Sequence, residues 1–375
     1  MSQVILIVSV SLPYSNIGSW TTMYNYYLQK TCHNIDFIIC PQPNEELIKG
    51  IEYSLVNKNT FFTKLNSKIN KDKSWANYFR ALDKIVKSNE KYVIQIIDNS
   101  GFIVPLNKHI SSRYKRDNFY IQYFYHGFPP LITNPSERIF FNGINEMIFL
   151  TKLSYKAFLN YYTDFVCKAS ILYNGIDSEQ FFKLESEQKV KQKHSMGLKS
   201  KFIFIWCSQD RPKKGLDLIL QVWKKIFDKQ GSEAELLIIG AERKNEYPGV
   251  NFIGRIPNNQ LAKYYQVSDF YLFPTLCKEG FGLVLAEALK CGCYCIASNQ
   301  GGVSEVLQFG KIGRIVENPN FIDEWVVAIE EAIKIYSQND YNNPYSRFID
   351  DDLYDINNWS KELNKLINEA KIELN

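Results

Sequence analysis

The chain has 375 residues, 45% hydrophobic and 22% charged, with 44 basic against 40 acidic side chains for a net charge of +4. That length exceeds one ordinary core and predicts two domains of somewhat under about 200 residues each, while so balanced a charge gives no reason to expect a nucleic-acid partner. No apolar run approaches the roughly 20 residues needed to cross a bilayer, and the eight cysteines fall into no disulfide framework.

The opening run VILIVSVSL, residues 4–10 in particular, reads as a buried strand. No basic segment precedes it and no small-residue cleavage site follows, so a signal peptide is not expected and the cytoplasm is the expected location. Trp75, Tyr78, Phe79, Leu82, Ile85 and Val86 follow helical spacing. Strands are expected over residues 92–97, 119–125 (ending at His126-Gly127) and 147–150, the last followed by a helix for which Ser154 is a candidate cap.

The rhythm sharpens after a strand that ends in Tyr173-Asn174-Gly175. Strand 202–206 leads to helix 216–227, with Leu216, Ile219, Leu220, Trp223 and Phe227 on one face. Strands 236–239 and 250–253, helix 260–266, strand 270–273, helix 282–290, strand 294–297 and helix 324–336 follow. Residues 338–352 are polar and turn-rich, where the chain is expected to change course. Cys291, Cys293 and Cys295 span a helix end and an apolar strand, where Cys acts as a small hydrophobe; a structural zinc site asks for matched C-x2-C pairs instead.

Strands alternating with helices predict parallel sheets covered on both faces, and two such runs predict two doubly wound α/β domains. Ligands of such sheets bind beyond the carboxyl ends of the strands. The segment 273–287, FPTLCKEGFGLVLAE, ends a strand, carries Glu279 in a loop and opens a helix at Gly280-Phe281-Gly282. Glycines permit close approach of backbone to ligand, and a helix start offers amides to phosphate or sugar oxygens. Glu287, further along, is placed to accept the hydroxyls of a ribose. On these residues alone, a solvated loop glutamate and a surface helix glutamate are equally open readings.

The stretch resembles the E-x7-E signature of glycosyltransferase family 4, the group 1 glycosyltransferases, retaining enzymes of GT-B fold: two Rossmann-like domains whose parallel sheets face across a cleft. The likeness extends over most of the second half. VNFIGRI (250–256) is similar to the family's base-holding strand and loop, residues 260–269 to the helix after it, Gly301-Gly-Val-Ser-Glu305 to its G-G-x-x-E turn, and ILYNGID (171–177) followed by Phe181 to its domain junction. The resemblance implies an N-terminal acceptor domain over 1–173, a donor domain over 174–355, and a terminal helix over 356–375 that returns to the first domain.

It further implies that Glu279 contacts the donor sugar, that the amides of Gly280, Phe281, Gly282 and Leu283 hold sugar and phosphate oxygens, that Glu287 binds the ribose, and that Ile256 lies at the base. Lys214 matches the basic loop that neutralises the diphosphate. Where many members carry Arg five residues earlier, this chain has Gln209; Arg211 fits the alternative R-P-x-K form. In the first half Gly18 resembles the glycine loop facing the diphosphate, and His126 a histidine beside the reacting sugar.

A retaining, metal-independent hexosyl transfer is therefore expected, from a nucleotide diphosphate sugar such as a UDP-sugar, with no cofactor. The acceptor is a glycan, a lipid-linked or a small molecule, in cell-surface polysaccharide or glycoconjugate synthesis. Epimerases and phosphorylases of the same fold, and a non-catalytic nucleotide-sugar-binding protein, are the alternatives; the retained Glu279, Glu287 and Lys214 argue against the last. Residues 58–73 interleave five lysines with Phe61, Phe62, Leu65 and Ile69, fitting peripheral contact with anionic lipid or an amphipathic helix with a solvated lysine face. Nothing in the sequence bears on self-association.

Overall fold

The computed structural model describes residues 2–14, 19–57, 75–128, 137–162 and 164–375. They divide into two compact units, Met1–Gly175 with Asn357–Asn375, and Ile176–Ile356.

The first unit contains a parallel sheet of β1 (Gln3–Ile7), β2 (Phe37–Pro41), β3 (Glu52–Val56), β4 (Tyr92–Ile97), β5 (Phe119–Tyr125), β6 (Glu146–Phe149) and β7 (Lys168–Ile171), in the order β3-β2-β1-β4-β5-β6-β7. Every residue of β4 and β5 is buried, as expected of central parallel strands covered on both faces. The price of two polar positions there is met by hydrogen bonding. Tyr24 Oη donates to Gln95 Oε1 (3.1 Å), Gln95 Nε2 to Gln122 Oε1 (2.9 Å), and Gln122 Nε2 to both Glu146 Oε2 (2.8 Å) and the Leu366 carbonyl (3.2 Å).

Leu366 belongs to the terminal helix Ile356–Leu374, which the chain enters as it returns to this unit. Its apolar face buries Trp359, Leu363, Ile367 and Ala370. The Trp359 ring stands edge-on to Tyr24 and Tyr27, at 5.5 and 6.0 Å between centroids, and Lys91 Nζ donates to the Leu374 carbonyl at 2.6 Å. The helix Lys152–Tyr161 is capped by Thr151, whose hydroxyl oxygen accepts from the Ser154 amide at 3.1 Å. Ser154 therefore does not cap this helix: it lies three residues in, supplying the amide that a cap satisfies.

The second unit holds β8 (Phe202–Cys207), β9 (Ala234–Ile239), β10 (Val250–Gly254), β11 (Phe270–Phe273), β12 (Tyr294–Ser298) and β13 (Arg314–Val316), parallel and ordered β10-β9-β8-β11-β12-β13. The helix Leu216–Gln230 buries Leu216, Ile219, Leu220, Val222, Trp223 and Ile226 against this sheet, each such side chain contributing about 1.5–3 kcal/mol. Cys291, Cys293 and Cys295 are buried, with the Cys293 thiol on the Tyr265 carbonyl and the Cys295 thiol on the Leu285 carbonyl. Among the described residues no helix is long and apolar enough to cross a membrane.

In both sheets the strand order reverses once, between β1 and β4 in the first and between β8 and β11 in the second. At such a point the loops leaving the carboxyl ends of the two strands diverge to opposite faces and open a crevice.

Candidate functional site

In the second unit the reversal brings together the loops that follow β8 and β11. The first carries Arg211 and Lys214 and ends at Gly215; the second carries Glu279 and ends at Gly282. Gly215 has φ +72°, and a β-carbon on it would lie 2.0 Å from the Pro274 carbonyl oxygen, so only glycine lets the loops approach this closely. They are tied by the Leu276 amide, which donates to the Lys213 carbonyl at 2.8 Å. Trp206 at the end of β8 donates its indole N–H to the Lys214 carbonyl at 3.2 Å.

The outcome is an ion pair between Lys214 Nζ and Glu279 Oε1, both side chains about one-fifth exposed. Thr275 Oγ1 lies 2.9 Å from the same oxygen and Cys277 Sγ 3.4 Å. The Glu279 backbone is fixed from the other side. It bridges to Gly301, where a β-carbon would meet the Glu279 carbonyl oxygen at 2.3 Å, and the Gly302 amide donates to that oxygen at 2.8 Å. Both glycines of the Gly301-Gly302 turn therefore hold the Glu279 loop. Arg211 is exposed with no side-chain partner among the described residues. Its neighbour Asp210 is taken by Arg243, which holds the Asp210 carboxyl below its ordinary value.

Gly282 starts the helix Leu283–Lys290 with φ +92°. The Leu285 and Ala286 amides turn back to the Gly282 carbonyl, at 3.0 and 3.2 Å. The amides of Gly282 and Leu283 precede them, in the first turn, where no intrahelical carbonyl is in reach. Phe281 is buried with its ring edge-on to Tyr354, 5.2 Å between centroids; its side chain anchors the loop.

Glu287 lies one turn into this helix and is only 5% exposed, and its Oε2 has no hydrogen-bond partner among the described residues. Burial pushes its carboxyl up to about 8. A buried acceptor without a donor is costly, and it fits a ligand that brings one. The consequence for folding has a definite sign. Because the folded value is raised, the stabilising contribution is complete below the unfolded value near about 4.3 and is lost as pH rises through about 8. Relative to Glu287→Gln, the ligand-free wild type is expected to lose unfolding free energy over that window, by at most about 1.4 kcal/mol per pH unit. Denaturant titrations of both proteins from pH 5 to 9 check this; parallel profiles would contradict it.

Ile256, half-buried, follows β10, two strands out from the reversal. In the first unit Gly18 lies outside the described residues, as do residues 58–73. His126 follows β5, its side chain 12% exposed. Asp98, at the carboxyl end of the adjacent β4, holds it twice: Oδ1 accepts from the His126 amide at 2.8 Å and Oδ2 lies 3.0 Å from Nδ1. Asp98 adopts φ +50°, a conformation Asp tolerates better than most residues. With Nδ1 engaged by a carboxylate, Nε2 is the nitrogen left to a ligand.

Residues 187–347, most of the second unit, match the family model described as glycosyl transferases group 1. The second unit is a group 1 glycosyl transferase domain. N-acetyl-alpha-D-glucosaminyl L-malate synthase of Bacillus anthracis is 32% identical over 157 residues, 39% of each chain. The lipopolysaccharide 1,2-N-acetylglucosaminetransferase of Salmonella typhimurium is 26% identical over 183 residues, 44% of this chain and 47% of that protein. The chain thus spans about half or less of the curated relatives it matches.

Whole-chain similarity comes from solved structures. Sucrose-phosphate synthase from Thermosynechococcus elongatus superposes with a TM-score of 0.72 at 16% identity, covering 99% of this chain and all of that one. Anabaena HepE, solved with UDP and glucose, gives 0.71 at 15% identity over 97% and 99%. At such identities the likeness is one of fold: GT-B, with two Rossmann-like parallel-sheet domains.

Within this group 1 domain, Lys214, Glu279, Gly280, Phe281 and Gly282 lie on two adjoining loops, with Arg211 exposed on the first, and Leu283 and Glu287 on the helix that follows the second. His126 belongs to the first unit. Sequence reasoning passed over Asp98 and Thr275. Asp98 carried a faint signal, an acid directly after an apolar strand; Thr275 carried none.

Proposed function

We propose that the protein is a retaining hexosyltransferase that takes its sugar from a nucleotide diphosphate sugar, with UDP as the nucleotide. The observation that carries this reading is the buried, unpartnered Glu287 Oε2 behind a glycine-rich helix start. A ribose diol supplies the donors that this oxygen lacks. UDP enters because Anabaena HepE of the same fold binds it; no residue of this chain selects against GDP or ADP.

Lys214, with two ammonium protons left beyond its bond to Glu279, and Arg211 face the diphosphate, as do the Gly282 and Leu283 amides with the helix dipole behind them. Charge grows on the departing diphosphate as the bond from sugar C1 to phosphate oxygen breaks. Fixed cations and dipoles there stabilise the transition state more than the ground state. Glu279 takes a hydroxyl of the donor sugar, Gly280 and Phe281 contribute backbone contacts, and Ile256 lies against the base. In the first unit His126, its Nδ1 engaged by Asp98, keeps Nε2 for a ligand and is the histidine assigned to the reaction.

The acceptor hydroxyl bonds to C1 on the face the diphosphate leaves, its proton passes to a phosphate oxygen, and the products are a glycoside of retained configuration and UDP. This chemistry draws on cations and dipoles of the chain and needs no metal ion or cofactor. The acceptor classes are a glycan, a lipid-linked or a small molecule in glycoconjugate synthesis at the cytoplasmic side, the lipid-linked class implying peripheral contact with the membrane.

Thermal unfolding with a panel of nucleotide sugars in EDTA tests the donor site. A donor at 100 times its dissociation constant adds about 2.7 kcal/mol, a plain rise in melting temperature that Glu287→Ala is expected to lose. If no nucleotide or nucleotide sugar raises the wild-type transition, the assignment is wrong.

A further inference from the structure

Glu279 Oε1 is crowded with donors and Oε2 is not. Lys214 Nζ, Thr275 Oγ1 and Cys277 Sγ all converge on Oε1, and no hydrogen bond or ion pair of the described residues reaches Oε2. The donors are unequal. Thr275 has one hydroxyl proton and four atoms around it: Glu279 Oε1 at 2.9 Å, the Cys277 carbonyl at 3.3 Å, Cys277 Sγ at 3.4 Å and the Lys213 carbonyl at 3.5 Å. The nearest is also the only carboxylate, and a charged acceptor gives the shorter and stronger bond. The proton therefore goes to Glu279. The Cys277 thiol, a weak donor at 3.4 Å from both Glu279 Oε1 and Thr275 Oγ1, adds little.

Lys214 alone does not fix the carboxylate. An ammonium on a four-carbon stem is a point charge that follows its partner and, with donor present, is shared with the diphosphate. Thr275 is different: it is 1% exposed, on the residue pair immediately after β11, and a short β-branched side chain so buried has few rotamers open to it. We infer that Thr275 is a positioning residue, which locks Glu279 through Oε1 so that Oε2 is the oxygen presented to the donor sugar. The inference rests on the donor-site reading above and adds to it the residue that sets the glutamate's orientation.

The test compares Thr275→Val, which removes the hydroxyl and keeps the shape, with Thr275→Ser, which keeps the hydroxyl. The substrate is whichever UDP-sugar the wild type cleaves, and UDP alone is the binding probe. Thr275→Val is expected to lower the cleavage rate about 10- to 100-fold, as losing a hydrogen bond to a charged group does. UDP, which has no sugar for Glu279 to hold, should bind it with unchanged affinity, and Thr275→Ser should recover most of the rate. Wild-type turnover by Thr275→Val would overturn the inference while leaving the donor site standing. So would loss of UDP binding together with turnover, or a serine variant as poor as valine, since either marks packing as the role. A wild type that binds no UDP at all would remove the donor site itself, a separate and distinguishable failure.

Discussion

Lys214→Ala is expected to lower the rate of donor cleavage about 10²- to 10³-fold, the loss found when one fixed donor to a developing negative charge is removed. The side chain does two things at once. It neutralises part of the Glu279 carboxylate, and in the proposed reaction it meets the charge that builds on the leaving diphosphate. The alanine variant leaves Glu279 with Thr275 and Cys277 as donors, so the glutamate stays near its place while the diphosphate loses its cation. The effect should therefore appear mostly in the rate and less in the melting temperature of the free protein. Combining the variant with Glu279→Gln should give less than the sum of the two separate losses, because contacting residues couple. A rate within threefold of wild type, measured as UDP release, would contradict the role given to Lys214.

Gly215→Ala is expected to cost about 2–4 kcal/mol of unfolding free energy, the range of substitutions that strain a special backbone position. Two terms add. An L-residue at φ +72° pays about 1–2 kcal/mol for its β-carbon against its own backbone. That β-carbon would also lie 2.0 Å from the Pro274 carbonyl oxygen and 2.9 Å from its carbon, so the loops after β8 and β11 must part. Gly197→Ala is the matched control: its φ is +71°, and a β-carbon there meets nothing within 4 Å. The control should show the backbone term alone, about 1–2 kcal/mol. Denaturant unfolding of the two variants separates them, and equal losses would show that the contact with Pro274 relaxes at no cost. Parting the loops also separates Lys214 from Glu279, so Gly215→Ala should bind UDP less well while Gly197→Ala binds it normally.

Much of this architecture was legible because buried parallel strands advertise themselves. The runs at β4, β5, β8 and β11 are apolar nearly throughout, and the helix Leu216–Gln230 repeats its core positions at helical spacing. The strands that went unread are the ones that break this pattern. β2 ends in Pro41, β3 (EYSLV) is largely half-exposed at a sheet edge, and β13 has only three residues. The helix Ser100–Arg113 was hidden by Pro105 and by the absence of an acid in its first turn.

The site divides along the same line. Glu279 and Glu287 stand eight residues apart on one strand–loop–helix passage, so their pattern survives in the sequence. The pairing of Asp98 with His126 joins the ends of two neighbouring strands 28 residues apart, and the contact of Gly301 with Glu279 closes over 22 residues. Such contacts exist only once the sheet has set the register. The vacancy at Glu287 Oε2 is likewise a fact about burial, which a single sequence does not carry.

The most direct measurement is UDP release from a panel of UDP-sugars, incubated with the wild type in EDTA and no added acceptor, beside Glu279→Gln and Lys214→Ala. Slow release from one sugar nucleotide, unaffected by the chelator and lost in both variants, is the predicted result. A wild type that releases no UDP from any of them, or one whose release is abolished by EDTA, would contradict a metal-independent donor site on these two loops.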